Sequence, residues 1–407
     1  MKKAVTWVLI FYFIQGFVHN LGHPVTPSFV NALGIEARMF GFFFSFMSLG
    51  LMVGAPLWGV LGDARQKKPF IILGLLLYSL GQWLFGASSN PWLMTSFRFL
   101  AGFGVSASVT LLLAHLISIA PKESRTKYLS MSAALLALGS TFGYQVGGIL
   151  GDYFLREVFY IQAILNVVYV LIILVVLKEA QATKTHTTHF FHQVKMATKL
   201  SPALLMFLVG LTLATMSMTI VTKYLDVYII DSGYTTRQLG TFVMVTGLVG
   251  LFTNFVIVPF LSRFRKELFI MKHLQWLSAL LIFIVFRGNN LMVMLYSFYM
   301  LYVVLRSIFQ PFEQNYISLN ADETTYSSVM GVRQMFFSIG MVLGPLVAGF
   351  VYEQTPRLVF DFSVIIFLFA FVLITLSQRS LLHQKTPKEA DDVIVTQLEP
   401  QDYPASS

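Results

Sequence analysis

Twelve separate stretches of this chain are each apolar enough, over roughly 20 residues, to span about 30 Å of hydrocarbon as a helix. They fall at about 4–30, 40–61, 69–88, 92–119, 127–150, 158–177, 202–230, 238–261, 268–286, 291–318, 327–352 and 358–377. In lipid every backbone N–H and C=O must find a partner within the protein, so stretches of this length fold as helices. The expected fold class is therefore an all-α membrane protein with twelve transmembrane helices. Composition agrees: 12% of the 407 residues are charged and mean hydropathy is +0.71, whereas soluble proteins carry about 25% charged residues. Too few charges remain to coat a water-soluble globule, which excludes soluble enzymes and nucleic-acid binders. The net charge of +9 is read as loops facing anionic lipid rather than nucleic acid. With no cysteine, disulfides, thiolate metal sites and cysteine nucleophiles are excluded. The first stretch opens with Lys2 and Lys3 but shows no small-residue cleavage site and stays apolar to Val30, so a span rather than a cleaved leader is expected.

Sidedness follows from the basic residues. An N-terminus on the cytoplasmic side places 19 of the 28 Lys and Arg there, Arg65, Lys67, Lys68, Arg263 and Arg265 among them. Only Arg38, Arg156, Arg237, Arg287 and Arg357 fall outside. Both termini are thus expected in the cytoplasm, in a multi-pass protein of the cell membrane. The expected organisation is an N-terminal six-helix half over 1–178, a cytoplasmic linker over 179–201, a C-terminal half over 202–378 and a disordered tail over 379–407. His186, His189 and His192 recur at spacing three in the linker. A lipid-facing basic linker is favoured over a metal site there, and no metal or cofactor is expected.

The halves carry a repeat. PSFVNALGIEARMFG at the end of span one aligns without gaps to DVYIIDSGYTTRQLG at the end of span seven, pairing Gly34 with Gly233, Arg38 with Arg237 and Gly41 with Gly240. GSTFGYQVGG in span five aligns to GMVLGPLVAG in span eleven, pairing Gly139 with Gly340, Gly143 with Gly344 and Gly148 with Gly349.

Between spans two and three the chain reads GVLGDARQKKP, with Gly59, Gly62, Asp63, Arg65, Lys67 and Lys68. Glycines at a helix end allow close helix approach, and the basic residues are expected at headgroup level. This segment resembles the signature loop of the major facilitator superfamily, although Ala64 and Gln66 replace a basic residue and a glycine of that pattern. The matching stretch VPFLSRFRKE in the second half lacks the acid. Span four holds RFLAGFG, with Arg98, Gly102 and Gly104, similar to the family's fourth-helix motif of proton-coupled members. Span five, with Gly139, Gly143, Gly147 and Gly148, resembles the family's antiporter motif, except that Tyr144 stands where that motif has proline. Span eleven keeps the fuller form, with Gly340, Gly344, Pro345 and Gly349. The resemblance covers the whole chain and is nearest to the twelve-helix drug:proton antiporter, or multidrug efflux, branch. It implies two pseudo-symmetric six-helix bundles and alternating access.

Ionisable groups inside a span are expensive and so are candidate functional residues. Arg306 and Glu313 lie seven residues apart in span ten, flanking Pro311. They are expected on one face, partly neutralising each other, with Glu313 the leading candidate for reversible protonation. Lys223 and Asp226 end span seven and are expected to pair near the outer surface, with Asp226 a second candidate and Asp231 solvated. Gln15, His19 and His23 recur at spacing four in span one and are expected to form one polar stripe, with Asn20 beside it. The resembling exporters often carry an acid in this helix, and none occurs here before Glu36. His115, Gln145, Gln162, Asn166, Arg333 and Gln334 are expected mainly as helix–helix hydrogen bonds. Of Phe42, Phe43, Phe44 and Phe46, most are expected to face lipid.

No nucleotide-binding GxxxxGK[ST], HExxH or GxSxG occurs. The chain is therefore expected not to be an enzyme, and transport must run on an ion gradient or on the cargo's own. The expected function is proton-coupled efflux of amphipathic small molecules by a monomer. The expected partners are its small-molecule substrate, protons and membrane lipids, with no nucleic acid. A lipid or glycolipid flippase, or a sugar or nutrient symporter, on the same scaffold are the alternatives.

Overall fold

The computed structural model describes residues 2–64, 66–121, 124–178, 200–264, 267–319 and 326–384. Arg65, the linker histidines and the tail from 385 onward lie outside the described residues. Eleven helices among the described residues are long and apolar enough to cross a membrane. Span one supplies the twelfth crossing, built from two helices, Lys2–Asn20 and Thr26–Ala32. The others are Ala37–Ala64, Lys67–Ala87, Pro91–Ile119, Arg125–Gly151 and Glu157–Val176, then Pro202–Asp231, Thr236–Phe252 running on to Ser262, Glu267–Val285, Leu291–Met294 running on to Leu319, Tyr326–Gln354 and Leu358–Gln384.

Span one departs from the expected continuous helix. Pro24 and Pro27 supply no backbone N–H and disfavour helical geometry just before them. The helix therefore stops at Asn20 and restarts at Thr26, whose N–H reaches back to the Gly22 carbonyl at 3.1 Å. Span eight widens into a π-turn over Thr253–Ile257. Pro259, which follows, cannot donate to the Phe255 carbonyl, and a π-bulge accommodates such a missing bond. A second π-turn occupies Leu295–Tyr299 of span ten.

The repeat seen in the sequence is a repeat of contacts. Gly34 and Gly233 close spans one and seven with left-handed backbone, at φ 65° and 86°. That region is nearly free to glycine and strained for other residues. Span five lies against span one, and span eleven against span seven, through bare glycine. A Cβ on Gly139 or Gly143 would stand 2.1 or 2.3 Å from the carbonyl oxygen of Phe13 or Phe17. A Cβ on Gly340 or Gly344 would stand 2.5 or 2.8 Å from that of Thr212 or Met216. Gly147 meets the Leu21 carbonyl in the same way.

The two halves meet along span five with span eight, and span two with span eleven. Here too the contacts come in matched pairs. Gly41 faces the Pro345 carbonyl, and Gly240 faces that of Tyr144. Gly148 abuts Thr236, and Gly349 abuts Arg38. The Arg38 backbone N–H donates to Glu353 at 3.1 Å, and the Arg237 N–H to Asp152 at 3.1 Å. Each arginine side chain adds an ion pair to the same acid, Arg237 Nε at 3.1 Å and Arg38 Nε at 3.7 Å. Asn31 and Tyr352 both donate to Asp231 at 2.7 Å, so this residue ties the halves rather than standing free in solvent. All these contacts lie at the end of the molecule away from the termini. The four phenylalanines of span two also differ from expectation: Phe43 is buried and the other three half-buried, because span two is covered by spans four and eleven.

Overfilling a tight contact typically costs about 1–3 kcal/mol. Gly143 lies closer to its carbonyl than Gly344 does, so Gly143→Ala should lower the thermal stability of the detergent-solubilised protein more than Gly344→Ala. Fluorescence-detected size exclusion after heating reads that order directly. A reversed order would mean that carbonyl distance does not set the tolerance.

Candidate functional site

Among the described residues, four basic side chains, Arg98, Lys223, Arg306 and Arg333, lie deep within the spans, and each has a different environment. Arg98 of span four is buried and donates to Gln82 at 3.2 Å and to Thr26 at 3.0 Å. Its guanidinium carbon stands 3.8 Å above the Phe85 ring. It thus joins spans one, three and four, facing the bundle interior as its cost in lipid requires. On the next turn Gly102 lets span two approach, its missing Cβ only 2.0 Å from the Met47 carbonyl.

Arg333 of span eleven is the partner of Glu313. Its Nε donates at 3.1 Å to one carboxylate oxygen, and Nη2 takes the other. Both residues are almost fully buried, and the Arg333 guanidinium also covers the Phe337 ring at 4.8 Å. The expected pairing of Glu313 with Arg306 is corrected. Seven residues of helix are about 10.5 Å of rise, too far for an ion pair, and span eleven offers a guanidinium side-on. Arg306 instead donates to Thr222 of span seven at 2.6 Å.

The expected salt bridge of Lys223 with Asp226 is also absent from the ion pairs of the described residues. The Lys223 ammonium stands 4.0 Å over the Phe44 ring of span two. Asp226, five residues before the end of its helix at Asp231, is 3% exposed and receives the hydroxyl of Tyr144 at 3.5 Å. That bond runs from span five to span seven, from one half of the molecule to the other.

The expected polar stripe on span one splits, because the helix ends at Asn20 and His23 falls out of phase. His19 is buried against Asn166 at 3.0 Å and packs on Tyr78 with the rings tilted by 39°. Asn166 and Gln162 fasten spans three and six to span one, as helix–helix hydrogen bonds. Gln15 is buried on span one. His23 turns to the interface between the halves, stacked on Tyr144 with ring centroids 5.7 Å apart and 5.5 Å from the ring of Phe44. Asn20 donates to Ser140 of span five at 3.0 Å.

A cavity of about 270 Å³ lies between spans five, eight and ten. Ser140, Thr141, Tyr144, Thr246 and Arg306 give it polar walls, and Val243 and Leu251 apolar ones. Glycines show where the spans part: a Cβ on Gly247 would strike Thr141 at 2.2 Å, but one on Gly250 would meet only Ser307, at 3.2 Å. Beyond that point exposed Phe252, Phe255 and Val256 continue the outer face of span eight.

At the signature loop, Gly59 is buried and Gly62 abuts Leu111. Asp63 lies in the last turn of span two, and Arg65 is outside the described residues. Lys67, the first residue of span three, is 4% exposed, and its ammonium has no hydrogen-bond partner among the described residues. Lys68 donates to the Leu174 carbonyl at 2.7 Å, reaching the end of span six. The residue most underrated from sequence is Tyr144. Its signal was the departure itself, a tyrosine where the resembling motif has proline.

Removing one member of a buried ion pair strands the other and costs about 3–5 kcal/mol. Glu313→Gln and Arg333→Gln should each markedly lower the thermal stability of the purified protein, and the double variant should lose much less than the sum. Full additivity in that cycle would mean the pair contributes nothing as a pair.

Comparison with known proteins matches the geometry. The sequence model of the Major Facilitator Superfamily matches residues 8–323 and 253–398. The quinolone resistance protein NorA of Staphylococcus aureus (strain MSSA476) is 24% identical over 335 residues, covering 81% of this chain and 85% of that protein. Multidrug resistance protein 1 of Bacillus subtilis (strain 168) is 21% identical over 390 residues, covering 94% and 99%. Among solved structures, a bacterial homolog of the human lysosomal transporter Spinster, inward-facing and occupied, superposes with a TM-score of 0.79 at 13% identity, over 94% of this chain and 98% of that one. The nucleoside transporter NupG superposes with a TM-score of 0.78 at 15% identity, over 92% and 98%. With the sequence match spanning both halves and the fold shared almost end to end, this chain belongs to the Major Facilitator Superfamily.

Proposed function

We propose that this chain is a proton-coupled exporter of amphipathic small molecules, driven by rocking of its two halves about the central cavity. The observation that carries the proposal is the buried carboxylate of Asp226, held by Tyr144 from the opposite half. A group that couples protons to rocking must change its surroundings when the halves move, and a bond across the interface does so. When that contact opens, the carboxylate exchanges a hydroxyl donor for water or a proton. Lys223, one turn away on the same helix, and Arg306, bonded to the same span through Thr222, set the charge against which that proton is held. The contacts between the halves at the end away from the termini correspond to a closed outer side, with the termini, the linker over 179–201 and the tail in the cytoplasm. The mixed apolar and hydroxyl walls suit an amphipath better than a sugar, whose hydroxyls need many polar partners. The drug-resistance relatives support export as the direction. A lipid flippase is the second reading, favoured by the exposed aromatic edge of span eight where it parts from span five.

The test is transport in proteoliposomes under an imposed pH gradient. Asp226→Asn should abolish gradient-driven accumulation while leaving equilibrium cargo binding intact, and Tyr144→Phe should weaken the coupling without abolishing it. If Asp226→Asn still drives uphill transport with cargo-linked proton movement, Asp226 is not the coupling group.

A further inference from the structure

The charges deep in the spans do not balance. Among the described residues, Arg98, Lys223, Arg306 and Arg333 stand against Asp226 and Glu313. Glu313 neutralises Arg333, and Arg98 is stabilised separately by Gln82, Thr26 and the Phe85 face. Lys223 and Arg306 remain, with one carboxylate near them that is already engaged by Tyr144. Neither cation forms an ion pair among the described residues, and both are half-buried rather than sealed in the core; Arg306 lies on the cavity wall, and Lys223 follows directly on Thr222, which Arg306 bonds. An ion taken out of water without a partner costs several kcal/mol. Their donors are mostly unused: of five N–H groups on a guanidinium, the Arg306 hydrogen bond to Thr222 engages one. The Lys223 ammonium is held only over the Phe44 ring, a contact that orients a cation without neutralising it.

We propose that Arg306 on the cavity wall and Lys223, next to its Thr222 partner, form an anion subsite at the edge of that cavity, which takes the acid group of an amphipathic cargo: a carboxylate, sulfonate or phosphate. The subsite holds only if the cavity is the cargo site, as proposed above. Charge-assisted hydrogen bonds from a guanidinium and an ammonium are the strong kind. Ser140, Thr141 and Thr246 on the cavity wall offer hydroxyl donors alongside. Val243 and Leu251 on the same wall offer apolar surface for the body of the same molecule. Selection thus falls on amphipaths bearing an acid, against the uncharged analogue of the same shape.

The full chain in phosphatidylcholine nanodiscs, without any gradient, tests this with two dyes of one skeleton: anilinonaphthalenesulfonate and the uncharged phenylnaphthylamine. Binding is read by fluorescence against empty nanodiscs. The sulfonate should bind roughly tenfold or more tightly than the neutral dye, which corresponds to about 1.4 kcal/mol. Lys223→Gln and Arg306→Gln should each remove most of that preference while leaving phenylnaphthylamine binding unchanged. Lys223→Arg should restore it, and Lys3→Gln, an exposed cation elsewhere, should not affect it. The pair of variants keeps the test decisive if one of them fails to fold. Adding phosphatidylglycerol separates the sources. If this lipid lowers sulfonate binding to the wild type but not to Lys223→Gln, the subsite holds a lipid headgroup; no effect assigns it to soluble cargo. Equal affinity for the two dyes, or a preference that survives both variants, overturns the subsite and leaves the cavity reading standing. Binding of neither dye overturns the cavity reading, and the subsite with it.

Discussion

Bare glycine against a backbone carbonyl is the contact on which this architecture depends. Lipid tails are as apolar as leucine, so helices in a membrane gain little from hiding apolar side chains from lipid, and close packing must supply the attraction instead. Gly139 and Gly143 let span five rest on the carbonyl edge of span one at Phe13 and Phe17. Gly340 and Gly344 do the same for span eleven at Thr212 and Met216. The two sets of partners are offset by the same step that separates Gly34 from Gly233, so each half is built on one contact pattern used twice.

The same small residues decide where the halves touch and where they part. At the end away from the termini, Gly41 and Gly240 lie against the carbonyls of Pro345 and Tyr144, and the acids Glu353 and Asp152 cap the starts of spans two and eight. An acid at a helix N-terminus satisfies orphan N–H groups and complements the helix dipole. Each clasp therefore combines a polar bond with a close apolar approach. Further along span eight, the contacts of Gly250 with span five are gone, and the cavity begins. A hinge line between tight and open packing is what rigid-body rocking of two halves requires.

Much of this was legible in the sequence, for reasons of length and spacing. The twelve crossings follow from apolar runs that hydrocarbon thickness makes unambiguous, and the repeat follows from glycines that no other residue can replace at those contacts. What spacing could not show was the third dimension. Seven residues along span ten put Arg306 and Glu313 on one face, but Arg333, distant in sequence, reaches Glu313 from the side. A spacing of four put His19 and His23 on one stripe, but Pro24 ends the helix between stripe and turn, and the two rings face different neighbours. Lys223 and Asp226 are close in sequence, yet the nearby Phe44 ring and Tyr144 hydroxyl, both from the other half, take them up. In each case a local pair was outcompeted by a partner from another span. Asp63 and Arg65 of the signature loop stay as sequence expectations, since their side chains are not described.

This distinction separates the two buried acids by what each can sense. Glu313 and Arg333 belong to neighbouring spans of one half, and under the rocking proposed above a rigid half would carry such a pair with it unchanged. Its doubly bonded geometry is suited to holding spans ten and eleven together. Asp226 has its donor on the opposite half, so the rocking proposed above would lengthen or remake that bond. The cations near it are likewise placed to respond, Lys223 through Phe44 of the opposite half and Arg306 through the span that carries Asp226. Burial alone would nominate both acids equally; only the ownership of their partners tells them apart.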